Sequence, residues 1–314
     1  MKMPSENQSL PPLIVILGPT AVGKTDLSLA LVGRFSGEII SADSRLFYRG
    51  MDIGTAKPTA EETAAVPHHL IDVATPQDIW SLGRFKRAVG DLVDEIHSRG
   101  RVPFLVGGTG QFVKAITEGW VVPELTADEE LRDVLNRWAE EISPEGLYQR
   151  LQVVDPAAAE KILPGNLRRT VRAFEVIFKT GRRFSDLRRR EPVPYRVLQI
   201  GLNRPRHEMD ARINQRVDLM IEAGFVDEVA SLLAQGVTSE LPSMSAIGYR
   251  QIAAYLNGEC ALEEAVEEIK KVTRKFYRRQ MTWFKVNDPE IHWFEMGEGT
   301  EAEIAALIEK FISS

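Results

Sequence analysis

A strand, a glycine loop and a helix follow one another without a break near the start of the chain. Residues 13–35 read LIVILGPTAVGKTDLSLALVGRF, where an apolar β-rich run enters the loop and Leu27, Ala30 and Leu31 recur with helical spacing. The segment GPTAVGKT matches G-x-x-x-x-G-K-[ST], a loop whose backbone N–H groups and lysine hold linked phosphates. The segment predicts a polyphosphate site and leaves open which polyphosphate binds.

The predicted loop consists of eight consecutive residues: Gly18, Pro19, Thr20, Ala21, Val22, Gly23, Lys24 and Thr25. We expect Lys24 and the loop N–H groups to neutralise two phosphates, and the Thr25 hydroxyl to face Mg²⁺. Gly18 and Gly23 allow backbone angles that a side chain would exclude. The alternative is an ordinary strand-to-helix turn, and the surrounding strand and helix favour the phosphate loop.

Apolar runs and helical patterns alternate along most of the chain, but not in the middle. Predicted strands cover 13–18, 38–43, 68–73, 101–108 and 195–203, and an amphipathic helix covers 82–100. Four helical segments instead fill the middle: 127–142, 143–154, 155–163 and 166–181. We therefore predict an α/β fold with a P-loop parallel-sheet core (1–119 and 193–314) and a helical insertion domain (120–192).

Asp43 closes the second predicted strand, so it should project into the same crevice as the phosphates. A carboxylate there could bind Mg²⁺ or accept a proton from a nucleophile. The alternative, a turn or helix cap, is equally open from the sequence, because Asp is a favoured cap. GGTG at 107–110 follows another buried strand without the aspartate usual in phosphate-loop NTPases. Thr109 offers a hydroxyl there, unless the segment is only a tight turn.

Arg212 and Arg216 lie one helical turn apart in ARINQRVDLM (211–220). Two such guanidinium groups can clamp a pyrophosphate through paired hydrogen bonds. Surface salt bridges with Asp218 or Glu208 are the alternative.

Charge is segregated along the chain. The net charge is −6, yet residues 164–190 and 270–285 each carry +7. In the helix predicted at 263–285, two basic rows stand on the exposed face: Lys270, Arg274 and Arg278, then Lys271, Lys275 and Arg279. This pattern favours a large anionic partner such as the phosphate backbone of RNA.

The remaining features set the compartment. Cys260 is the only cysteine, and the five histidines show no metal-ligand spacing. No apolar run reaches membrane-spanning length, and the polar start MKMPSENQSLPP has no signal-peptide core. We expect a cytoplasmic protein without a disulfide or a zinc site.

Seven segments together resemble the tRNA dimethylallyltransferases, also called tRNA isopentenyltransferases. They occur in the family's order and span nearly the whole chain: GPTAVGKT (18–25), DSRLFYRGMDIGTAKP (43–58), VGGTGQFVKA (106–115), NLRRTVRAFEV (166–176), ARINQRVDLMIEAGF (211–225), SAIGYRQ (245–251) and RRQMTWF (278–284). The resemblance implies that the loop binds dimethylallyl diphosphate rather than ATP. It also implies transfer of the dimethylallyl group to the exocyclic amine of the adenosine 3′-adjacent to the tRNA anticodon.

The resemblance also implies roles for single residues. Asp43 would be the general base, Thr25 would help to hold Mg²⁺, and Arg212 or Arg216 would contact the pyrophosphate. Further positions would meet the anticodon arm, some of them in the insertion: Asp43, Ser44, Arg45, Leu46, Thr109, Arg132, Arg168, Arg169, Arg172, Gly248, Tyr249, Arg250, Arg274, Arg278, Arg279 and Gln280. We expect the chain to act as a monomer.

Two departures and two rival functions stay open at this stage. Leu46 stands where many family members have Gln, and Gln111-Phe112 stands where Leu-Tyr is common, so recognition of the target base is in question. A phosphate-loop nucleoside or nucleotide kinase is one rival, although the missing aspartate and the basic helix count against it. An RNA-binding module without catalysis is the other, and it leaves Lys24, Thr25 and Asp43 without a purpose.

Overall fold

One parallel sheet organises the larger part of the molecule. In a computed structural model of the chain, the described residues are 10–122, 125, 127–187 and 189–314. Six strands form the sheet in the order β3-β2-β4-β1-β5-β6, with every neighbouring pair parallel. They are β1 (Pro12–Leu17), β2 (Gly37–Ser41), β3 (His68–His69), β4 (Val102–Gly107), β5 (Arg196–Asn203) and β6 (Ile291–Glu295).

The central strands are apolar because both faces of the sheet are covered. Leu13 to Leu17 of β1 are all fully buried, as expected for a strand between two layers of helices. Leu17 at the end of β1 pairs with Gly107 at the end of β4 and with Gly201 of β5, which continues for two more residues to Asn203. The loops that follow these strands therefore meet at one edge of the sheet.

Helices make up most of the rest of the described chain. They are α1 (Lys24–Arg34), α2 (Ala60–Ala65), α3 (Leu82–Ser98), α4 (Gly110–Thr117), α5 (Glu129–Ile142), α6 (Pro144–Val154), α7 (Pro156–Ala159), α8 (Leu167–Thr180), α9 (Arg206–Glu222), α10 (Phe225–Ala234), α11 (Tyr249–Leu256), α12 (Leu262–Trp283) and α13 (Thr300–Ser313). Two short 3-10 helices cover Ser185–Leu187 and Ser243–Ser245.

The described residues divide into two compact units. The sheet unit comprises the described residues up to Trp80, Phe85–Thr117 and Val193–Ser314. The helical unit comprises Ser81–Arg84 and the described part of Glu118–Pro192. Each unit has its own apolar core: the sheet unit buries side chains between α1, the sheet and α13, and the helical unit buries side chains of α5, α6 and α8.

The α/β fold class is confirmed, and several details differ from the sequence prediction. The strand predicted at 68–73 is reduced to two residues, because Leu70 and Asp72 have positive φ angles of 60° and 55° that end the extended backbone. β6 was not predicted. The absence of a signal-peptide core was expected for residues 1–12, of which 1–9 lie outside the described residues. No helix in the described part of the chain is long and apolar enough to cross a membrane.

Candidate active site

The phosphate loop connects β1 to α1 in the predicted place. Gly18 is required by a close approach, since a Cβ there would lie 2.7 Å from the carbonyl oxygen of Leu202. Gly23 precedes α1 with φ at 108°, a left-handed angle that favours glycine. Lys24 then opens the helix, and the exposed Thr25 follows it on the cavity side.

Three side chains from distant parts of the chain hold the backbone of this loop. Arg212 donates from Nε to the carbonyl of Ala21 at 2.8 Å, and Arg204 donates from Nε to the carbonyl of Val22 at 3.0 Å. Gln280 accepts at Oε1 from the N–H of Thr20 at 2.9 Å. The loop is therefore fixed by α9, the end of β5 and α12. Arg204 was missed in the sequence, where only its position just after a buried strand could have indicated it.

Gln280 joins the phosphate loop to the neighbouring turn. Its Nε2 donates to the carbonyl of Gly108 at 2.9 Å, while its Oε1 holds Thr20, and the residue is only 4% exposed. Both ends of the amide are therefore bonded inside the protein, and the RNA contact of Gln280 stays a prediction. The side chain fixes the geometry of two loops.

Lys24 lies within a group of charged side chains. Its Nζ donates to the carbonyls of Gly18 and Pro19 at 3.1 and 2.7 Å. Burial lowers the pKa of Lys24 to about 8, while nearby Asp43 opposes that change and Arg216 adds to it. Burial also lowers the pKa of Arg216, again opposed by Asp43. Lys24, Arg216 and Asp43 thus interact electrostatically in one place.

A cavity of about 360 Å³ opens beside these groups. Its charged and hydroxyl lining includes Lys24, Thr25, Asp43, Arg212 and Arg216. An apolar portion is formed by Ile39, Leu46, Pro58, Ile71, Val106 and Leu219. The combination of cations, one carboxylate at a strand end and an apolar wall suits a ligand with a phosphate head and a hydrocarbon tail.

Asp43 lies beyond the end of β2, close to the GGTG turn. Its carboxylate Oδ1 accepts from the backbone N–H of Arg45 at 3.0 Å, so the turn role considered for it is also present. The N–H of Ser44 donates to the Thr109 hydroxyl at 3.3 Å. A Cβ on Gly107 would lie 2.4 Å from the backbone of Ala42, so only glycine lets these two strand ends pack so closely. Asp43 and Thr109 are therefore neighbours.

Several residues expected to meet RNA have internal partners in the sheet unit. The Arg45 guanidinium donates to the Pro242 carbonyl at 3.1 Å and to the Ser245 hydroxyl at 3.0 Å. Tyr249 is fully buried, and its hydroxyl donates to Glu228 at 2.7 Å. The Tyr249 side chain is therefore enclosed within the sheet unit, and its RNA contact stays a prediction. Arg250, one position later, is exposed.

The basic helix α12 is only partly available. Lys270 pairs with Asp218 at 2.8 Å and with Glu267 at 3.1 Å, and Lys271 pairs with Glu268 at 2.7 Å. Arg274 donates to the side chain of Asn214. Lys270 and Arg274 are therefore only partly exposed, unlike the prediction, whereas Lys271 is exposed as predicted although it is paired. Lys275, Arg278 and Arg279 remain on the exposed face.

The helical unit shows the same division between internal and exposed cations. Glu175 is fully buried, and it accepts from Arg132 at 3.1 and 3.2 Å and from Arg172 at 2.6 Å. Burial would raise the pKa of Glu175, but these bonds and one from the Asp128 N–H outweigh it and lower the pKa. Arg168 and Arg169 of α8 are exposed. Arg132 and Arg172 thus stabilise this unit internally.

The two departures from the family pattern lie in different surroundings. Leu46 lines the cavity, so it can affect what the cavity accepts. Phe112 is nearly buried, and its ring stacks on Phe85 with centroids 4.2 Å apart and on Phe47 at 5.8 Å. Phe112 is therefore a core residue here.

Within the described residues, no group of three or more His, Cys, Asp or Glu side chains could hold a metal ion. This does not exclude Mg²⁺, which commonly keeps several waters and binds through few protein groups plus ligand phosphates. The Thr25 hydroxyl, at the opening of α1 and on the cavity lining, fits that mode of binding.

The fold and the site together define a class: a P-loop α/β protein whose cavity beside the loop has an aspartate near a neighbouring strand end and an apolar wall. A family model described as IPP transferase matches residues 46–287. The tRNA dimethylallyltransferase of Thermomicrobium roseum is 47% identical over 285 residues, which is 91% of this chain and 86% of that protein. That of Dehalococcoides mccartyi is 43% identical over 99% of this chain and 96% of its own length.

Solved structures agree. The tRNA isopentenylpyrophosphate transferase of Bacillus halodurans has a TM-score of 0.72 and 41% identity, covering 96% of this chain and 97% of its own. A eukaryotic dimethylallyltransferase acting on tRNA has a TM-score of 0.80 and 27% identity, covering 96% and 80%. The chain belongs to the tRNA dimethylallyltransferase family.

Proposed function

We propose that this protein transfers the dimethylallyl group of dimethylallyl diphosphate to the exocyclic amine of the adenosine 3′-adjacent to the anticodon in tRNA. One observation carries the proposal: Lys24, Arg212, Arg216 and Asp43 line a single cavity that also has an apolar wall. The cations suit the diphosphate, the wall suits the prenyl group, and the carboxylate suits the proton that the amine must lose.

The donor half of the reaction needs negative charge to be stabilised. The allylic carbon–oxygen bond breaks and pyrophosphate leaves with the electron pair, so groups that neutralise it act in the transition state. Lys24 would exchange its bonds to Gly18 and Pro19 for phosphate oxygens. Arg212 bonds to the loop through Nε, which leaves its terminal nitrogens without a hydrogen bond to the described residues. These nitrogens would bind the diphosphate, with Arg216 beside them.

Mg²⁺ would be held by Thr25 together with the diphosphate, and when bound it adds positive charge against the leaving group. The protein's own contribution is to fix the loop. Arg204, Arg212 and Gln280 hold three successive loop residues, so the N–H groups need no rearrangement as charge develops.

The acceptor half needs a base. The adenine amine attacks the allylic carbon, a carbon–nitrogen bond forms, and the nitrogen becomes acidic. Asp43 would take that proton, because a carboxylate within reach of the proton is what general base catalysis requires. The adenosine must leave its stack to enter the cavity, and Leu46 would contact it there.

The tRNA needs a positive surface as well as the cavity. Lys275, Arg278 and Arg279 on α12, and Arg168 and Arg169 on α8, are exposed cations that would contact the phosphates of the anticodon arm. Thr109, Ser44 and Arg250 would contact the tRNA nearer the cavity. We propose that the protein works as a monomer in the cytoplasm.

The test is incubation with labelled dimethylallyl diphosphate, Mg²⁺ and unmodified tRNA, followed by digestion to nucleosides. We expect the label in an N6-prenylated adenosine from the anticodon loop. Label in no nucleoside, or product that requires ATP, would contradict the proposal.

A further inference from the structure

The segment 52–58 forms one wall of the candidate cavity through Thr55, Ala56 and Pro58. It follows the buried Met51 and contains neither a helix nor a strand. Its position therefore depends on side chains from elsewhere in the sheet unit.

One carboxylate holds the start of this wall. Glu228 accepts at Oε2 from the backbone N–H groups of Asp52 at 2.8 Å and Ile53 at 2.6 Å. Its Oε1 accepts from the N–H of Gly54 at 3.2 Å and from the Tyr249 hydroxyl at 2.7 Å. Three successive N–H groups and one hydroxyl thus converge on the two oxygens of a single carboxylate, which accepts all four hydrogen bonds.

Packing fixes the same place. A Cβ on Gly54 would lie 2.2 Å from the Phe225 ring and 2.7 Å from the Tyr249 ring, so the two aromatics press directly on the backbone. The two rings meet edge to face with centroids 5.1 Å apart. Phe225, Glu228 and Tyr249 form what we call the loop anchor.

The hydroxyl in the anchor stays a donor. Burial raises the pKa of Tyr249, and the neighbouring charge of Glu228 and the bond to it raise the pKa further.

At the far end of the wall, Lys57 donates to the Tyr48 carbonyl at 3.0 Å and pairs with Asp52 and Asp72. The wall is therefore held at both ends.

We infer that Glu228 is a positioning residue for the transfer reaction, acting through the 52–58 wall rather than by touching the reacting atoms. The inference rests on the proposed function, since this wall would enclose the prenyl donor, dimethylallyl diphosphate. Glutamine at this position would place an amide N–H₂ opposite backbone N–H groups and leave at least one of them unpaired. The wall would then move away from the donor.

Three variants test this: Glu228→Gln, Tyr249→Phe, and Asp227→Asn as a control on an exposed acid next to Glu228 in the same helix. Hydrogen exchange of the amides of 52–54 is measured together with donor kinetics, tRNA affinity and the melting temperature. In Glu228→Gln we expect faster exchange at 52–54. We also expect kcat/KM for dimethylallyl diphosphate to fall about 10²-fold, the usual loss of rate when a positioning group is displaced. The tRNA affinity should not change.

Tyr249→Phe should show a smaller loss in the same measurements, because the three N–H bonds remain. Asp227→Asn should behave as the wild type. Unchanged exchange or unchanged donor kcat/KM in Glu228→Gln would overturn the inference. A Glu228→Gln variant that also lost tRNA affinity and melted at a lower temperature would overturn it as well, because that pattern would indicate a general folding role. If the wild type transfers nothing, the proposed function fails, and exchange at 52–54 with pyrophosphate affinity still tests the anchor.

Discussion

Two pairs of arginines meet different partners in the two units. Arg132 and Arg172 of the helical unit both bond to Glu175, a carboxylate with no exposed surface. Arg212 and Arg216 of the sheet unit line the cavity, and no salt bridge joins either of them to a carboxylate among the described residues.

The difference shows how charge marks a ligand site. A buried carboxylate is tolerable only when it is paired and hydrogen-bonded, so Arg132 and Arg172 are already compensated. Arg212 gives one nitrogen to a backbone carbonyl, which leaves its net charge in place. Positive charge gathered in a cavity favours an anionic ligand. The sequence shows arginines in both units, and only the partners distinguish their roles.

The largest effect on turnover should come from replacing Asp43, the carboxylate of the cavity. Asp43→Ala should lower turnover by about 10²–10⁴, the usual contribution of a general base, with tRNA affinity little changed. Single-turnover transfer to tRNA is the measurement, with Asp133→Ala, an exposed acid of the helical unit, as the control. Near wild-type turnover with both substrates bound would exclude Asp43 as the base.

The next largest effect should appear when one arginine of the cavity is compared with one arginine of the helical unit. Arg216→Ala should lower kcat by about 10²–10³, as for loss of one group that stabilises developing charge. Arg172→Ala should leave kcat near the wild-type value and lower the free energy of unfolding by about 1.5–3 kcal/mol, the worth of a bond to a charged group. Transfer kinetics and chemical denaturation of both variants provide the test. The comparison fails if the two variants show the same pattern.

Lys24 should give a pH dependence. The protonated amine is the form that binds phosphate, and its pKa of about 8 means that protonation is lost as pH rises through that value. Pyrophosphate affinity, measured by calorimetry on both sides of that pH, should fall above it by up to about tenfold per pH unit. Lys24→Ala should bind weakly and show no such fall. An affinity that is flat in the wild type would mean that another group binds the phosphate.

The smallest effects should separate exposed from compensated cations on α12. Arg278→Ala with Arg279→Ala should lower the slope of log tRNA affinity against log salt by roughly 0.7–0.9 for each phosphate that the variant no longer binds. Lys270→Ala with Lys271→Ala removes the same charge from residues that already pair with acids. This control should keep the wild-type slope. Equal slopes for the two double variants would rule out the exposed face as the surface that binds tRNA.

Much of the framework could be predicted because it depends on local pattern. The strand–loop–helix at 13–35 and the four helices of 127–181 follow from apolar spacing and cap residues. β6 could not, because IHWFE is short, only Ile291 is buried, and its pairing with β5 is distant in sequence. Ala30, which the helical spacing groups with Leu27 and Leu31, is exposed, whereas the buried residues of α1 are Leu27, Ser28, Leu31 and Val32.

Only the site residues that belong to a recognisable sequence motif could be predicted. Lys24, Asp43 and Arg216 could be named because each has a recognisable position. The partners of Gln280 and Tyr249 could not, since each partner lies on another element of the fold: Thr20 for Gln280 and Glu228 for Tyr249. Arg204 was missed for the same reason.

The central claim is that the charged cavity holds a prenyl diphosphate as a reactant, and not a nucleotide. The most direct measurement follows two labels in one reaction, one in the prenyl group of the donor and one in the γ-phosphate of added ATP, with tRNA as acceptor. We predict that prenyl label enters tRNA, that one pyrophosphate appears for each group transferred, and that ATP stays intact. Prenyl label absent from tRNA, or ATP consumed in proportion to product, would contradict the claim.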